Sequence, residues 1–137
     1  MTPTAMAFVL YIAWFLLLLL ALASVRTLAA LGGKPANSFR PDGTDMPGFA
    51  ARLTRVHANC YESFPFVGGL LLFALVTQST AMTDGLALWL IAARLGQSLT
   101  HLASGSVLAV QIRFAFFIAQ WAIAARWVWA YAQQFGG

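Results

Sequence analysis

The stretch AMAFVLYIAWFLLLLLALASV, residues 5–25, contains no charged side chain. At 1.5 Å of rise per residue, about 20 apolar residues cross a hydrocarbon core of about 30 Å. The stretch therefore reads as a transmembrane helix. Composition agrees, since 61% of the 137 residues are hydrophobic and 9% are charged, against about a quarter charged in an ordinary soluble domain. Ala21, Leu22 and Ala23 have the look of a signal-peptide cleavage site, but no Lys or Arg precedes the run. It also exceeds an apolar signal core of about 7 to 15 residues. An uncleaved anchor is the expectation.

Working outward, residues 32–48 (GGKPANSFRPDGTDMPG) are broken by Pro35, Pro41 and Pro47 and by glycines, which stop both helix and strand. Helical patterns resume at 49–78, 84–102 and 107–132. The fold expected is all-α: one domain over 1–137, an integral membrane four-helix bundle with four transmembrane helices (5–31, 49–78, 84–102, 107–132) and a loop at 32–48. Short connections make the second and third helices, and the third and fourth, antiparallel neighbours. Arg26, Lys34, Arg40, Arg52 and Arg55 lie in or beside the first loop, so that loop should face the cytoplasm and both termini the other side. The formal charge of +4 is spread over helices and one loop, a distribution that speaks against nucleic acid. The single cysteine excludes an internal disulfide, and with two histidines there is no four-ligand zinc set. No metal site is expected.

Polar residues are costly at membrane depth, yet RVHANCYE, residues 55–62, opens an apolar run. On a helix Arg52, Arg55, Asn59 and Glu62 fall within an arc of about 80°. Arg94, Gln97, Ser98 and His101 form a second stripe on the third helix, and Arg113 with Gln120 a third on the fourth, with Phe116 and Phe117 between them. Two readings stay open. The stripes are interhelical glue, with Glu62 paired to an arginine and Asn59 holding a backbone carbonyl, or they line a binding site. Arg55, Arg94 and Arg113 against one intramembrane carboxylate, Glu62, leave positive charge over, which suits an anionic ligand gripped by guanidinium forks. Snorkelling to lipid phosphates explains Arg126 and serves for Arg113, but it fits mid-helix Arg94 poorly.

Arg55-Val-His-Ala-Asn59-Cys-Tyr-Glu62-Ser-Phe-Pro65 resembles the Arg-x-x-x-Asn-x-x-Glu-x-x-Pro signature of the MAPEG family, the membrane-associated proteins in eicosanoid and glutathione metabolism. The likeness runs over nearly the whole chain and is to a bacterial-type member. It implies a homotrimer in the bacterial inner membrane with glutathione as co-substrate, bound between subunits near the cytoplasmic face. It further implies a transferase or peroxidase acting on a lipophilic small molecule delivered by membrane lipids. Carried over by position, the glutathione-binding residues would be Arg52, Arg55, Asn59, Glu62, Arg94, Gln97 and His101. Glu62 would meet the amino group, and Arg55 and Arg94 the carboxylates. Arg113 would be catalytic, stabilising the thiolate. The chain departs from family members at Ala58, where some carry a basic residue, and at His101 and Phe117, where they carry tyrosines.

Other residues have plainer expectations. His101, read without the resemblance, is a histidine bonded within the bundle. Cys60 points off the stripe and reads as an inert thiol. Trp121, Trp127, Trp129 and Tyr131 read as an aromatic belt at the outer interface. Two competing functions stand beside the enzyme: a non-enzymatic membrane scaffold or lipid- or thiol-binding protein of the same fold, and a small multidrug exporter. Such an exporter generally needs a carboxylate in its first helix, and this chain has none there.

Overall fold

The computed structural model describes residues 1–137 as four helices and no strand: α1 (Pro3–Leu31), α2 (Gly48–Val76), α3 (Asp84–Ala103) and α4 (Val107–Phe135), with a 3-10 turn at Thr80–Met82. Boundaries follow local chemistry. Thr2 caps α1 by accepting from the Ala5 amide at 3.2 Å, with Pro3 in the first turn. Ser106 caps α4 through the Ala109 amide at 3.2 Å. Caps of this kind satisfy amides that the first helical turn leaves free. At the other end of α1, Gly33 takes φ 103°, a conformation that costs glycine little.

Three helices, α1, α2 and α4, are long and apolar enough to cross a membrane by length and composition. The expectation of four such helices is met in number of helices but not in this measure. α3 has 20 residues, enough for about 30 Å, yet Arg94, Gln97, Ser98, Thr100 and His101 dilute its apolar character. It buries Arg94, Gln97 and Ser98 by packing against all three other helices, most extensively α4. Expected antiparallel neighbours are found, and α1 adds a partner the sequence did not announce, lying along both α2 and α3.

The core explains the tightness of two seams. On the α1–α2 seam, Tyr11 is fully buried, donates to the Cys60 carbonyl at 3.0 Å, and shares a 2.7 Å hydrogen bond with Ser63 Oγ. Its ring meets Phe64 at 5.5 Å between centroids. On the α3–α4 seam, Gly96 admits the Phe116 ring so closely that a Cβ there would lie 2.6 Å from it. α2 and α4 touch far less. The bundle is therefore shut along two seams and open along one face, and that opening positions the site.

At the end opposite the loop, Thr4 and Asp84 tie α1 to α3. Asp84 Oδ1 accepts from the Thr4 amide at 2.9 Å and its hydroxyl at 2.6 Å. The aromatic belt needs correction: Trp121 and Trp129 are exposed as expected, but Trp127 and Tyr131 are buried in the core. Spaced by four residues, they share the face of α4 that turns inward, where Tyr131 packs edge-on against Phe73 at 4.9 Å.

Candidate functional site

Where α2 and α4 diverge beside the loop, a cleft of about 720 Å³ opens. α2 contributes Arg55, Asn59 and Glu62, α3 contributes Gln97, Ser98 and His101, and α4 contributes Arg113, Phe114 and Phe117. Six sequence candidates therefore meet: Arg55, Asn59, Glu62, Gln97, His101 and Arg113. Arg52 and Arg94 lie outside the lining. Arg52 donates through Nε to the Leu102 carbonyl at 2.9 Å, satisfying an acceptor in the last turn of α3. Arg94 is only 3% exposed and stands behind the cleft floor.

Around Arg94 the side chains bond chiefly to one another. Its Nη1 donates to Asn59 Oδ1 at 2.7 Å and to Gln97 Oε1 at 3.1 Å. Gln120 Nε2 reaches the same Gln97 oxygen at 3.0 Å and the Phe116 carbonyl at 2.9 Å. The Tyr11 ring lies 5.7 Å from the guanidinium carbon, close enough for a cation–π attraction. No carboxylate neutralises this buried charge, for the ion pairs of the molecule are Lys34–Asp45 at 3.2 Å and Arg40–Asp42 at 3.7 Å.

The cleft is the opposite case. Arg55, Glu62, His101 and Arg113 have no protein hydrogen bond or ion pair, so the Glu62–arginine pair of the glue reading is not formed. His101 is likewise not a bonded bundle histidine; half-buried, it faces the cleft without a partner. His57 and Cys60 point elsewhere, as their positions on the helix require: His57 stacks on Phe15 of α1 at 5.1 Å and Cys60 is fully buried.

Two contributions escaped sequence reasoning. The loop folds back so that Pro41 and Asp42 form part of the cleft wall. Gly43, with φ 73°, seats it against Thr54, where a Cβ would come within 2.7 Å. Hydrogen bonds from the Thr44 amide and hydroxyl, at 3.1 and 2.8 Å, hold the Asp42 carboxyl below its ordinary range, with Arg40 adding to the effect. The second contribution is apolar. Phe66, Leu70, Phe117, Trp121 and Val128 are among the wholly hydrophobic walls of a groove of about 530 Å³ that continues between α2 and α4. Phe117 borders both spaces. The alternation of α2 and α4 between polar and apolar ends was visible in the sequence, but not that the two helices stand apart.

The family model for the MAPEG family matches residues 4–132. The chain belongs to the MAPEG family. It is thus an integral membrane protein of that family, all-helical, and the matched residues include those of α2, α3 and α4 that line the polar cleft. No curated protein and no solved structure matches the chain.

Proposed function

We propose that this MAPEG protein binds glutathione in the cleft and joins its sulfur to a lipophilic electrophile, or reduces a lipophilic peroxide with it. One observation carries the reading: two cations, Arg55 and Arg113, and one carboxylate, Glu62, converge on a single space while unpaired by the protein. A zwitterionic peptide with two carboxylates and one ammonium is complementary to that set, the carboxylates meeting guanidinium groups and the ammonium meeting Glu62. The apolar groove beyond Phe117 gives the second reactant a place continuous with the bilayer-facing surface.

In the transfer reaction the thiol gives its proton to water in the open cleft, and the thiolate is stabilised by a neighbouring cation, for which Arg113 is placed. The thiolate forms a carbon–sulfur bond and the leaving group departs with its electron pair. Bringing both reactants into adjoining spaces supplies orientation. In the same reading α3 is the fourth membrane span, the loop side faces the cytoplasm of a bacterial inner membrane, and the protein is a homotrimer whose neighbouring subunit closes the open face of the cleft.

A non-enzymatic role is favoured by one feature, the use of Arg52 and Arg94 to tie helices together. The two readings separate on glutathione binding to the detergent-purified protein. The transferase reading expects saturable binding that Glu62→Gln weakens about tenfold or more, the worth of a hydrogen bond to a charged group. Absence of saturable binding by the parent protein contradicts it.

A further inference from the structure

Hydrogen-bond direction fixes the polarity of the cleft floor. A guanidinium only donates and a backbone carbonyl only accepts. Because Arg94 Nη1 donates to both Asn59 Oδ1 and Gln97 Oε1, those two oxygens are turned towards Arg94. From the other side, the Phe116 carbonyl holds the amide nitrogen of Gln120, which donates to the same Gln97 oxygen. Along the chain from Phe116 through Gln120, Gln97 and Arg94 to Asn59, Gln120 and Arg94 are the donors and Phe116, Gln97 and Asn59 the acceptors. The Phe116 carbonyl and the Arg94 guanidinium cannot reverse their roles, and they set those of the three amides. Flipping the Gln97 amide would set its N–H groups against those of both Arg94 and Gln120.

The nitrogens left over, Asn59 Nδ2 and Gln97 Nε2, have no protein partner and are not among the polar atoms sealed away from the surface. Both residues line the cleft.

We infer that Arg94 and Gln120 are positioning residues that lock the Asn59 and Gln97 amides with their N–H groups facing the cleft, so that the floor selects an acceptor-only ligand group, a carboxylate or an amide carbonyl. Arg94 and Gln120, 3% and 1% exposed, act through these amides without touching the ligand. This deepens the glutathione reading and rests on it for the ligand's identity. The peptide's carboxylate and carbonyl oxygens belong at the floor, and its ammonium belongs with Glu62, an exposed residue of the same cleft. The orphan Nε of Arg94 and Oε1 of Gln120 fit the same picture. Both residues sacrifice some hydrogen bonding of their own to hold their neighbours' orientation.

The decisive variant is Gln97→Glu. It keeps an oxygen for Arg94 and for Gln120, turns the cleft-facing atom from donor to acceptor, and adds a negative charge that the adjacent buried guanidinium offsets. Binding of glutathione and, separately, of glutarate, a dicarboxylate with no N–H, is measured on the full chain in detergent alongside its thermal unfolding. The expected result is at least about a tenfold loss of affinity for each probe that the parent binds, with no fall in unfolding temperature. A merely structural role for Gln97 would move both together. Asn59→Asp carries the same test on α2 should the first variant fail to fold, and Gln120→Met should weaken binding several-fold. If the parent binds glutarate and not glutathione, and Gln97→Glu loses glutarate, the polarity lock stands while the glutathione reading falls. Undiminished binding by both acidic variants, or a parent that binds neither probe, overturns the lock.

Discussion

The bundle interior around Arg94 and the cleft around Arg113 use the same side chain for opposite ends. Arg94 is buried and bonds through Nη1 to Asn59 and Gln97, joining α3 to α2 and, through Gln120, to α4. Arg113, about five turns of chain later and half-buried at the start of α4, meets no protein acceptor at all. The polar stripes divide in two: they tie helices together where helices close on one another, and they leave polar groups unpaired where α2 and α4 part.

The largest expected effect breaks the comparison directly. Arg94→Ala leaves the Asn59 oxygen without its donor and opens space in the core, and should destabilise the protein by about 2 to 4 kcal/mol. Arg113→Ala should change stability by no more than about 0.5 kcal/mol, as for a surface position. Unfolding in detergent compares the two; equal losses would erase the distinction between interior and cleft.

A smaller effect concerns the loop that walls the cleft. Gly43 holds φ 73° with Thr54 in the space a side chain would need. Gly43→Ala should therefore cost about 1 to 3 kcal/mol locally, unseating the loop without melting the helices. Faster proteolysis within 32–48, at unchanged helical signal, is the expected readout. An unchanged cleavage rate would show that the wall does not depend on this contact.

The smallest effect is the loop's response to acid. Partial desolvation raises the Asp45 carboxyl, but the Arg40 amide at 3.1 Å and the Lys34 ammonium at 3.2 Å outweigh it and leave it below its ordinary value. A depressed carboxylate contributes stability that is present above its unfolded value, about 3.9, and is lost as pH falls through the folded one. Loop protection from an acid-tolerant protease should thus be level from neutrality to about pH 4 and decline below it, where the ordinary carboxylate range begins. Asp45→Asn should lessen that decline, leaving the part that Asp42 contributes. Helical signal should stay constant over the same range, since Asp45 pairs within the loop.

How much of this was legible depends on which physical rule set each feature. The helices were, because apolar runs and the prolines and glycines of 32–48 mark their limits: the expected 5–31 and 107–132 became Pro3–Leu31 and Val107–Phe135. The stripe of Arg52, Arg55, Asn59 and Glu62 was legible as one helical face, but its division was not. Periodicity puts residues on an arc and says nothing of what stands opposite, so Arg52 against the end of α3 and Arg55 in open space looked alike. Tyr11 and Trp14 were hidden for a related reason. In a run without charge nothing in the pattern singles them out, whereas Tyr11 bonds to α2 and Trp14 donates to Ser98 at 3.2 Å. Asp42 lay beyond reach, since only the fold of an irregular loop carries it to the cleft.

The most direct test of the central claim, that the cleft is a thiol-activating site and not residual polarity between helices, is ultraviolet thiolate absorbance of glutathione mixed with the purified protein at neutral pH. A free thiol has a pKa of about 8.5 and a neighbouring cation lowers it. The account expects thiolate absorbance that saturates with glutathione, and expects Arg113→Leu to abolish it while the protein keeps its assembly state and helical content. Parent protein that shows no thiolate, together with an Arg113→Leu variant indistinguishable from it, would contradict the account.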